Sequence, residues 1–291
     1  MNHNSLAGLL LRRRFRATIS VLIVVSFLIN VGCSRQAPSS VSSLDTTTSE
    51  TESGFDPDPP SATNPAVLPG IVRWETVLPL RHDVAIMDSV FWEPADTDSL
   101  RALIFKSPDI KDSRVLEIGT GSGLVSLCCL QAGAAHVVAT DLNPNAVQNV
   151  RFNAANFASS EQLDARLVPR RNPNAWTVIR PEEKFDFILS NPPWENQNPK
   201  SVAEFALYDP DFLLLDSLVK GARDRLKSSG RMWLAYGCVT AIRRIETLAN
   251  AEELHYTQLD ERDLDDLPEV FLPGMLLELT VGSGSSERHE D

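Results

Sequence analysis

The feature that most constrains this chain is a glycine cluster set between two apolar runs, in residues 114–142, which read RVLEIGTGSGLVSLCCLQAGAAHVVATDL. Single residues separate the glycines, which are Gly119, Gly121 and Gly123. A helix-like segment follows the glycines, and the second apolar run then ends on Asp141. A strand, a glycine turn, a helix and a second strand that ends in an acid form the first half of a nucleotide-binding α/β unit.

The spacing of the glycines distinguishes between ligands. A dinucleotide fingerprint is G-x-G-x-x-G and presents a helix N-terminus to a pyrophosphate, but here Leu124 stands where its third glycine would fall. Glu117 lies two residues before the first glycine, and a carboxylate there disfavours a pyrophosphate and suits a ligand that carries an ammonium group. Glu117-x-Gly119-x-Gly121-x-Gly123 resembles motif I of the class I S-adenosylmethionine (SAM) methyltransferases. The alternative is an ordinary strand–turn–helix connection.

This resemblance implies SAM as the cofactor, with the methionine part on the glycine loop and the ribose on the acid after the second strand. Enzymes of this class often place an Asp after the third strand, predicted at residues 163–168, to bind the adenine amine. No Asp follows here, and Asn172 is the residue that could accept that hydrogen bond. The cofactor-binding residues implied in this part of the chain are Glu117, Gly119, Thr120, Gly121, Gly123, Asp141, Leu142 and Asn172.

A second resemblance lies just before the glycine cluster. Val90-Phe91, a proline and an Asp-Thr pair that ends at Thr97 resemble the segment before motif I in glutamine-methylating enzymes of the HemK type. The chain departs from that pattern by an inserted Trp92 and by one residue fewer between the proline and the Asp. The resemblance implies that Thr97 contacts SAM, whereas the alternative is that it only caps the helix predicted at residues 99–105.

A further motif follows the predicted fourth strand, residues 185–190, which runs into Asn191-Pro192-Pro193-Trp194. Adjacent prolines fix the backbone at the carboxyl edge of the sheet, where open α/β sheets bind ligands. Asn-Pro-Pro-aromatic resembles motif IV of methyltransferases that act on a planar nitrogen. It implies that Asn191 and the Pro192 carbonyl accept the N–H bonds of the methyl acceptor and that Trp194 supplies a flat apolar face. The alternative is a prolyl turn that only ends a strand.

Together these motifs predict an α/β fold over residues 67–282, a Rossmann-like seven-stranded methyltransferase sheet with helices on both faces. We expect a helix at residues 209–226 capped by Gly230, a fifth strand at 231–236, and a terminal antiparallel pair of strands at 255–259 and 275–281. The expected reaction is methyl transfer from SAM to a planar nitrogen. A protein glutamine amide is the favoured acceptor, and a nucleic-acid amine is the alternative. A non-catalytic interaction module that keeps the SAM fold is a third interpretation.

The N-terminal part of the chain is predicted to lie outside this domain. Four arginines precede the apolar residues 17–31, and residues 1–33 end on Val-Gly-Cys33, which resembles a bacterial lipobox. This predicts a signal peptide or membrane anchor, and residues 34–66, rich in Ser, Thr and Pro, predict a disordered linker. Residues 283–291 read as a polar tail. An exported enzyme would lack a supply of SAM, so the alternative to membrane attachment is a cytoplasmic enzyme whose translation starts further downstream.

Charge and cysteine content bear on the class of partner and on whether the chain holds a metal site. The formal net charge is −12, and residues 1–66 hold five arginines and five acids, so the whole imbalance falls on the predicted domain. Phosphate contacts dominate nucleic-acid affinity, so an acidic domain favours a protein partner over nucleic acid without excluding the latter. Cys128, Cys129 and Cys238 form no C-x-x-C pair, which favours buried thiols over a metal site.

Overall fold

A computed structural model describes residues 70–282 of the chain. The predictions made for residues 1–66 and 283–291 therefore lie outside the described residues. None of the helices in the described range combines the length and the hydrophobicity that crossing a bilayer requires. The elements of this range are β1 Ile71–Glu75, β2 Val84–Met87, α1 Asp98–Lys106, β3 Arg114–Ile118, α2 Leu124–Gln131, β4 His136–Asp141, α3 Pro144–Asn156, β5 Leu163–Leu167, β6 Phe185–Ser190, α4 Leu213–Arg225, β7 Leu226–Cys238, α5 Val239–Ala251, β8 Leu254–Gln258 and β9 Val270–Val281.

The central sheet has seven strands in the order β5-β4-β3-β6-β7-β9-β8. The first five run parallel, and β9 is antiparallel to both of its neighbours. The Rossmann-like α/β fold and the terminal antiparallel pair are confirmed. From β3 the chain builds outward in one direction through β4 and β5, and then in the other direction from β6, so the order of strands reverses between β3 and β6. Open α/β sheets bind ligands at the carboxyl ends of the strands at such a reversal.

Alternation along the strands buries both faces of the sheet. Leu116 of β3 and Ile188 of β6 pack in one cluster with α4 and α5, while Val115 and Leu189 pack in another with α1, α2 and β2. Successive side chains of a strand point to opposite faces, so adjacent apolar residues serve different layers. A third cluster joins α3 to β4 and β5. Helices therefore cover both faces, as predicted.

A two-stranded hairpin, β1 with β2, precedes the sheet and was not expected from the sequence. Two buried asparagines of α3 bond to the β2 backbone as a neighbouring strand would. The Asn149 Oδ1 accepts from the Met87 amide at 2.6 Å, and the Asn153 Oδ1 accepts from the Ala85 amide at 2.9 Å. Both side-chain amides also donate to the Ser122 carbonyl at 3.0 Å. The hairpin is thus joined to the glycine turn through α3.

The start of α4 and the strand that follows this helix differ from two predictions. The helix starts at Leu213 rather than 209, because Asp211 and Phe212 adopt left-handed backbone conformations with φ of 54° and 55°. The Asp209 carboxylate accepts from the Leu214 and Leu215 amides of its first turn at 2.9 and 3.0 Å. Gly230 lies inside β7 and does not cap a helix. A Cβ at Gly230 would stand 2.8 Å from the Phe185 carbonyl oxygen, so close approach to β6 explains this glycine.

A buried ion network joins β3, β5 and the segment before β6. The Glu183 carboxylate, with 5% of its side chain exposed, accepts from Arg166 at 2.7 Å and from Arg114 at 2.6 Å. Hydrogen bonding to Arg166 is the main cause that lowers the pKa of Glu183 from 4.5 to about 2. Because the ionised form is favoured in the fold, this carboxylate stabilises the protein above its unfolded pKa and ceases to do so as the pH falls towards 2.

We predict that Glu183→Gln lowers the free energy of unfolding at pH 7 by on the order of 2–3 kcal/mol, because Arg114 loses its carboxylate partner and Arg166 keeps only Asp164. The difference from wild type should shrink as the pH falls from 4.5 towards 2, the interval between the unfolded and folded pKa values. Urea denaturation at a series of pH values measures this. Glu182→Gln, at a side chain that is 72% exposed, is the control and should change stability little. A Glu183→Gln deficit that is constant over this pH interval contradicts the account.

Candidate active site

A cleft with two adjoining chambers lies at the carboxyl ends of β3, β4 and β6. The larger chamber is lined by residues that include Ser89, Asp141, Leu142, Val168, Asn174 and Phe205. The smaller chamber is lined by residues that include Pro94, Thr97, Glu117, Thr120 and Leu124. Gly119, Gly121, Phe91 and Asn191 line both chambers, so the two form one continuous site. The site lies where the strand order reverses, as the fold requires.

The three glycines of the turn have different structural roles. All adopt positive φ, at 76°, 52° and 86° for Gly119, Gly121 and Gly123. A Cβ at Gly119 would meet nothing within 4 Å, and one at Gly121 would meet only the Phe91 carbonyl oxygen at 3.8 Å. A Cβ at Gly123 would instead collide with Val150 of α3 at 2.6 Å. The first two glycines therefore keep the floor of the cleft open to a ligand, and the third permits helix packing.

Glu117 is buried under the turn and ties it to α2. Its Oε2 accepts from the Thr120 hydroxyl at 2.7 Å, from the Ser126 amide at 3.0 Å and from the Ser126 hydroxyl. Burial raises the pKa of Glu117 from 4.5 to about 7, and the hydrogen bonds from Ser126 and Thr120 oppose that rise. A carboxylate kept ionised in such a place gains most from a cationic ligand in the chamber that it lines.

Asp141 ends β4 and faces the larger chamber. Its two carboxylate oxygens accept from the Gly121 and Asn143 amides, each at 2.8 Å. Burial raises the pKa of Asp141, while these backbone amides act in the opposite direction. Asn143 in turn caps α3 by accepting from the Asn145 amide at 3.0 Å. The carboxylate is thus held in a fixed orientation where a vicinal diol can donate to it.

The sequence-predicted residue for the adenine end is not in the cleft. Asn172 is exposed in a surface turn, where its amide donates to the Pro169 carbonyl at 3.0 Å and its own carbonyl accepts from the Thr177 hydroxyl at 2.9 Å. Asn174, two residues later, lines the larger chamber. Asn172 therefore does not line the cleft. Asn174 does, with its Oδ1 accepting from the Trp176 amide at 2.9 Å, and the residue that binds the adenine stays a prediction.

Asn191 stands at the junction of the two chambers. Its Oδ1 atom is buried and has no hydrogen-bond partner among the described residues. Just before it, the Ser190 hydroxyl donates to the Ile118 carbonyl at 2.7 Å and fixes the end of β6 against β3. A buried carbonyl oxygen without a partner carries a desolvation cost unless a ligand donates to it. Asn191 is therefore placed to bind an N–H group.

The other motif residues divide between the cleft and the core. Pro193 lines the larger chamber, whereas Pro192 and Trp194 do not line either chamber. The Trp194 indole donates to the Ala235 carbonyl at 3.3 Å, and a Cβ at Gly237 would stand 2.4 Å from its ring. In this conformation Trp194 holds the Asn-Pro-Pro turn against β7, and its flat apolar face for an acceptor stays a prediction.

The charge of the cleft tests which cofactor it fits. The lining of the two chambers includes Glu93, Glu117 and Asp141, and no lysine, arginine or histidine of the described residues is part of it. A pyrophosphate cofactor would bring two negative charges into this lining. SAM is a net cation with a sulfonium and an ammonium group, so its charge complements these carboxylates. The residues present fit SAM.

Comparison with known proteins agrees with this geometry. The sequence profile of the methyltransferase small domain family matches residues 90–253. The chain belongs to the methyltransferase small domain family. This membership confirms the class I, HemK-like resemblance and indicates SAM as the cofactor.

The relatives differ in their acceptors. The release factor glutamine methyltransferase of Cereibacter sphaeroides is 33% identical over 135 residues, which cover 42% of this chain and 46% of that protein. The tRNA1(Val) (adenine(37)-N6)-methyltransferase of Bacteroides thetaiotaomicron is 29% identical over 150 residues, covering 50% of this chain and 60% of that protein. The chain thus spans less than two thirds of the length of either relative.

A solved structure shares the fold. The T. thermophilus 16S rRNA N2 G1207 methyltransferase, in complex with AdoMet and guanosine, superimposes with a TM-score of 0.52 at 20% identity. The superposition covers 74% of this chain and 52% of that one. At this identity the likeness concerns the fold.

Several site residues were missed by sequence reasoning. Ser89 and Asn174 line the larger chamber, Ser126 bonds to Glu117, and Asn149 and Asn153 hold the hairpin to the turn. Of these, Ser126 had a usable signal, since it follows the glycine cluster by one helical turn on the side that faces β3. The others depend on contacts between segments far apart in the chain.

We predict that affinity for S-adenosylhomocysteine, the product that keeps the ammonium group, falls as the pH is lowered from 8 to 6. Glu117 takes up a proton near pH 7 in the free protein and then no longer attracts an ammonium group. The loss should approach about tenfold per pH unit below that value. Isothermal titration calorimetry at fixed ionic strength measures it.

Glu117→Gln should bind more weakly at pH 8 and lose this pH dependence. Glu161→Gln, at an exposed residue of the segment before β5, should keep the wild-type profile. A pH profile of Glu117→Gln that parallels wild type would show that another group carries the titration.

Proposed function

We propose that this protein is an N-methyltransferase that transfers the methyl group of SAM to a protein glutamine amide. The single observation that carries the proposal is the buried, unpartnered Oδ1 of Asn191 at the junction of the two chambers. A hydrogen-bond acceptor there stands beside the space for a cofactor. An amide or amine nitrogen is the group that satisfies it while it faces the cofactor.

The residues of this chain contribute mainly position. SAM, when bound, supplies an electrophilic methyl group on a sulfonium. We propose that Asn191 Oδ1 accepts one N–H bond of the acceptor. The Pro192 carbonyl, although Pro192 lines neither chamber, accepts the other once the acceptor is bound, which leaves the nitrogen lone pair directed at that methyl. With SAM bound, the new N–C bond would form as the S–C bond breaks, S-adenosylhomocysteine would leave, and the nitrogen would lose one proton to solvent. Orientation of this kind accounts for a large part of a transfer that needs no strong base.

The rigidity of the turn supports this role. Pro192 and Pro193 are buried and fix the backbone, and Trp194 packs on β7 behind them. A Cβ at Gly274 of β9 would also touch the Trp194 ring, at 3.3 Å. Catalysis by positioning requires supports of this kind, because a small displacement of the acceptor costs much of the rate.

Charge at the same sheet edge favours a protein acceptor. The loop between β8 and β9, residues 259–269, carries six acids and one arginine. It lies beside the end of β7, since Cys238 of β7 pairs with Val270 of β9. Arg262 and Arg243 are already engaged there by Asp260 and Asp265. A phosphate backbone would meet repulsion at this rim, whereas a neutral or basic protein segment would not.

A nucleic-acid amine is the second candidate acceptor. The observation in its favour is the similarity to an enzyme named for tRNA adenine. The carbonyl acceptors proposed for the Asn-Pro-Pro-Trp turn would suit an adenine amino group as well as an amide. Against it stands the absence of lysine and arginine from the described cleft lining.

We predict that Asn191→Ala keeps SAM affinity within a few-fold of wild type and loses methyl transfer by about a hundredfold, because the variant no longer orients the acceptor nitrogen. Calorimetry gives the first quantity and single-turnover transfer gives the second. Asn198→Ala, at an exposed asparagine of the same loop, is the matched control and should keep both SAM affinity and methyl transfer. Transfer by Asn191→Ala at a near wild-type rate would remove Asn191 from the reaction.

The acceptor class is decided by incubating the protein with radiolabelled SAM and separated protein and RNA fractions of a bacterial lysate. The proposal expects label in the protein fraction and, after hydrolysis, on glutamine. Label confined to RNA would favour the second candidate. Binding of SAM without label in either fraction would favour a non-catalytic module.

A further inference from the structure

A buried arginine supports the wall of the smaller chamber. Arg101 of α1 is 6% exposed. Its Nε donates to the Thr97 hydroxyl at 3.3 Å, its Nη2 donates to the Pro94 carbonyl at 3.0 Å, and its guanidinium also pairs with Asp98. The Asp98 side chain is 66% exposed, so water screens this ion pair on one side. Burial of a guanidinium is costly without strong compensation, which suggests a use for its charge.

That charge lies directly behind the cofactor site. Pro94 and Thr97, the two residues that Arg101 contacts through oxygen, both line the smaller chamber. The lining itself includes the Glu117 carboxylate and no cation of the described residues. Arg101 therefore supplies positive charge to the chamber wall without entering the chamber.

The amino-acid end of SAM needs both signs of charge. On the proposed function, on which this inference rests, Glu117 meets the ammonium group. The carboxylate of SAM, next to that ammonium group, would face a lining without cations of the described residues. A buried anion needs a hydrogen-bond donor and a compensating charge. In this wall, the hydroxyl group of Thr97 contacts the Arg101 guanidinium.

We propose that Arg101 is a positioning residue that makes Thr97 the recognition element for the carboxylate of the cofactor. The Arg101 Nε–H occupies one lone pair of Thr97 Oγ1 and polarises the hydroxyl, which strengthens it as a donor. The hydroxyl proton now goes to the Pro94 carbonyl at 3.3 Å, which is a long bond for an O–H donor. A carboxylate in the chamber offers that proton a stronger acceptor.

The test compares two ligands that differ only in this group, SAM and decarboxylated SAM, by calorimetry on the full-length protein. Arg101→Leu should weaken the affinity for SAM by about tenfold or more, which is the usual effect of one charge-assisted hydrogen bond. It should change the affinity for decarboxylated SAM by less than about twofold. Thr97→Val, which keeps the shape of the side chain, should give the same selective loss. Arg101→Lys should recover part of the SAM affinity, because it restores the charge.

Arg223→Leu is the matched control. Arg223 donates to two backbone carbonyls and one carboxylate, and it joins α4 to the end of α5, away from the cleft. It should leave both affinities unchanged. If Arg101→Leu does not fold, Thr97→Val and Arg101→Lys carry the test.

The outcomes separate this inference from the proposed function. Equal losses for the two ligands in Arg101→Leu and Thr97→Val would make Arg101 a purely structural residue and overturn the inference, while SAM binding by wild type would stand. Equal wild-type affinity for the two ligands would overturn it as well. Failure of the wild-type protein to bind SAM at all would instead overturn the proposed function and the inference with it.

Discussion

The site depends on hydrogen bonds that tie one glycine turn to two acidic side chains. Glu117 holds the turn to the start of α2 through Thr120 and Ser126, and Asp141 holds it to β4 through the Gly121 amide. Each carboxylate thereby fixes the floor of one chamber and lines that chamber. Burial raises the pKa of each carboxyl group, which means that ionising them without a cationic partner costs free energy. A cationic ligand relieves this, which links the stability of the turn to the choice of cofactor.

Sequence reasoning reached the parts of this arrangement that local pattern determines. The glycines, Glu117 and Asp141 lie within one strand–turn–helix–strand unit, where spacing alone fixes which side chains meet. Asn191 was found because two prolines end a buried strand and mark the sheet edge. These residues are close in sequence to the backbone features that place them.

What the sequence did not reveal depends on contacts between distant segments. The β1–β2 hairpin is held by Asn149 and Asn153, some 60 residues later in the chain, and nothing local marks those asparagines as its partners. Asn172 was named for the adenine amine, and its position outside the cleft lining depends on the direction of a surface turn, which cannot be read from composition. Gly230 was assigned to a helix end from its place after the helical pattern, whereas its real constraint is the close Phe185 carbonyl of another strand. In each case a tertiary contact overrides the local signal.

The central claim is that this cleft holds SAM with its amino-acid end in the smaller chamber and its ribose on Asp141. A crystal structure of the full-length protein with S-adenosylhomocysteine tests it most directly. The account predicts the ribose hydroxyls within hydrogen-bond distance of the Asp141 carboxylate, the amino group beside Glu117, and the adenine in the larger chamber near Asn174. Ligand bound in the reverse orientation, or bound outside both chambers, would contradict it.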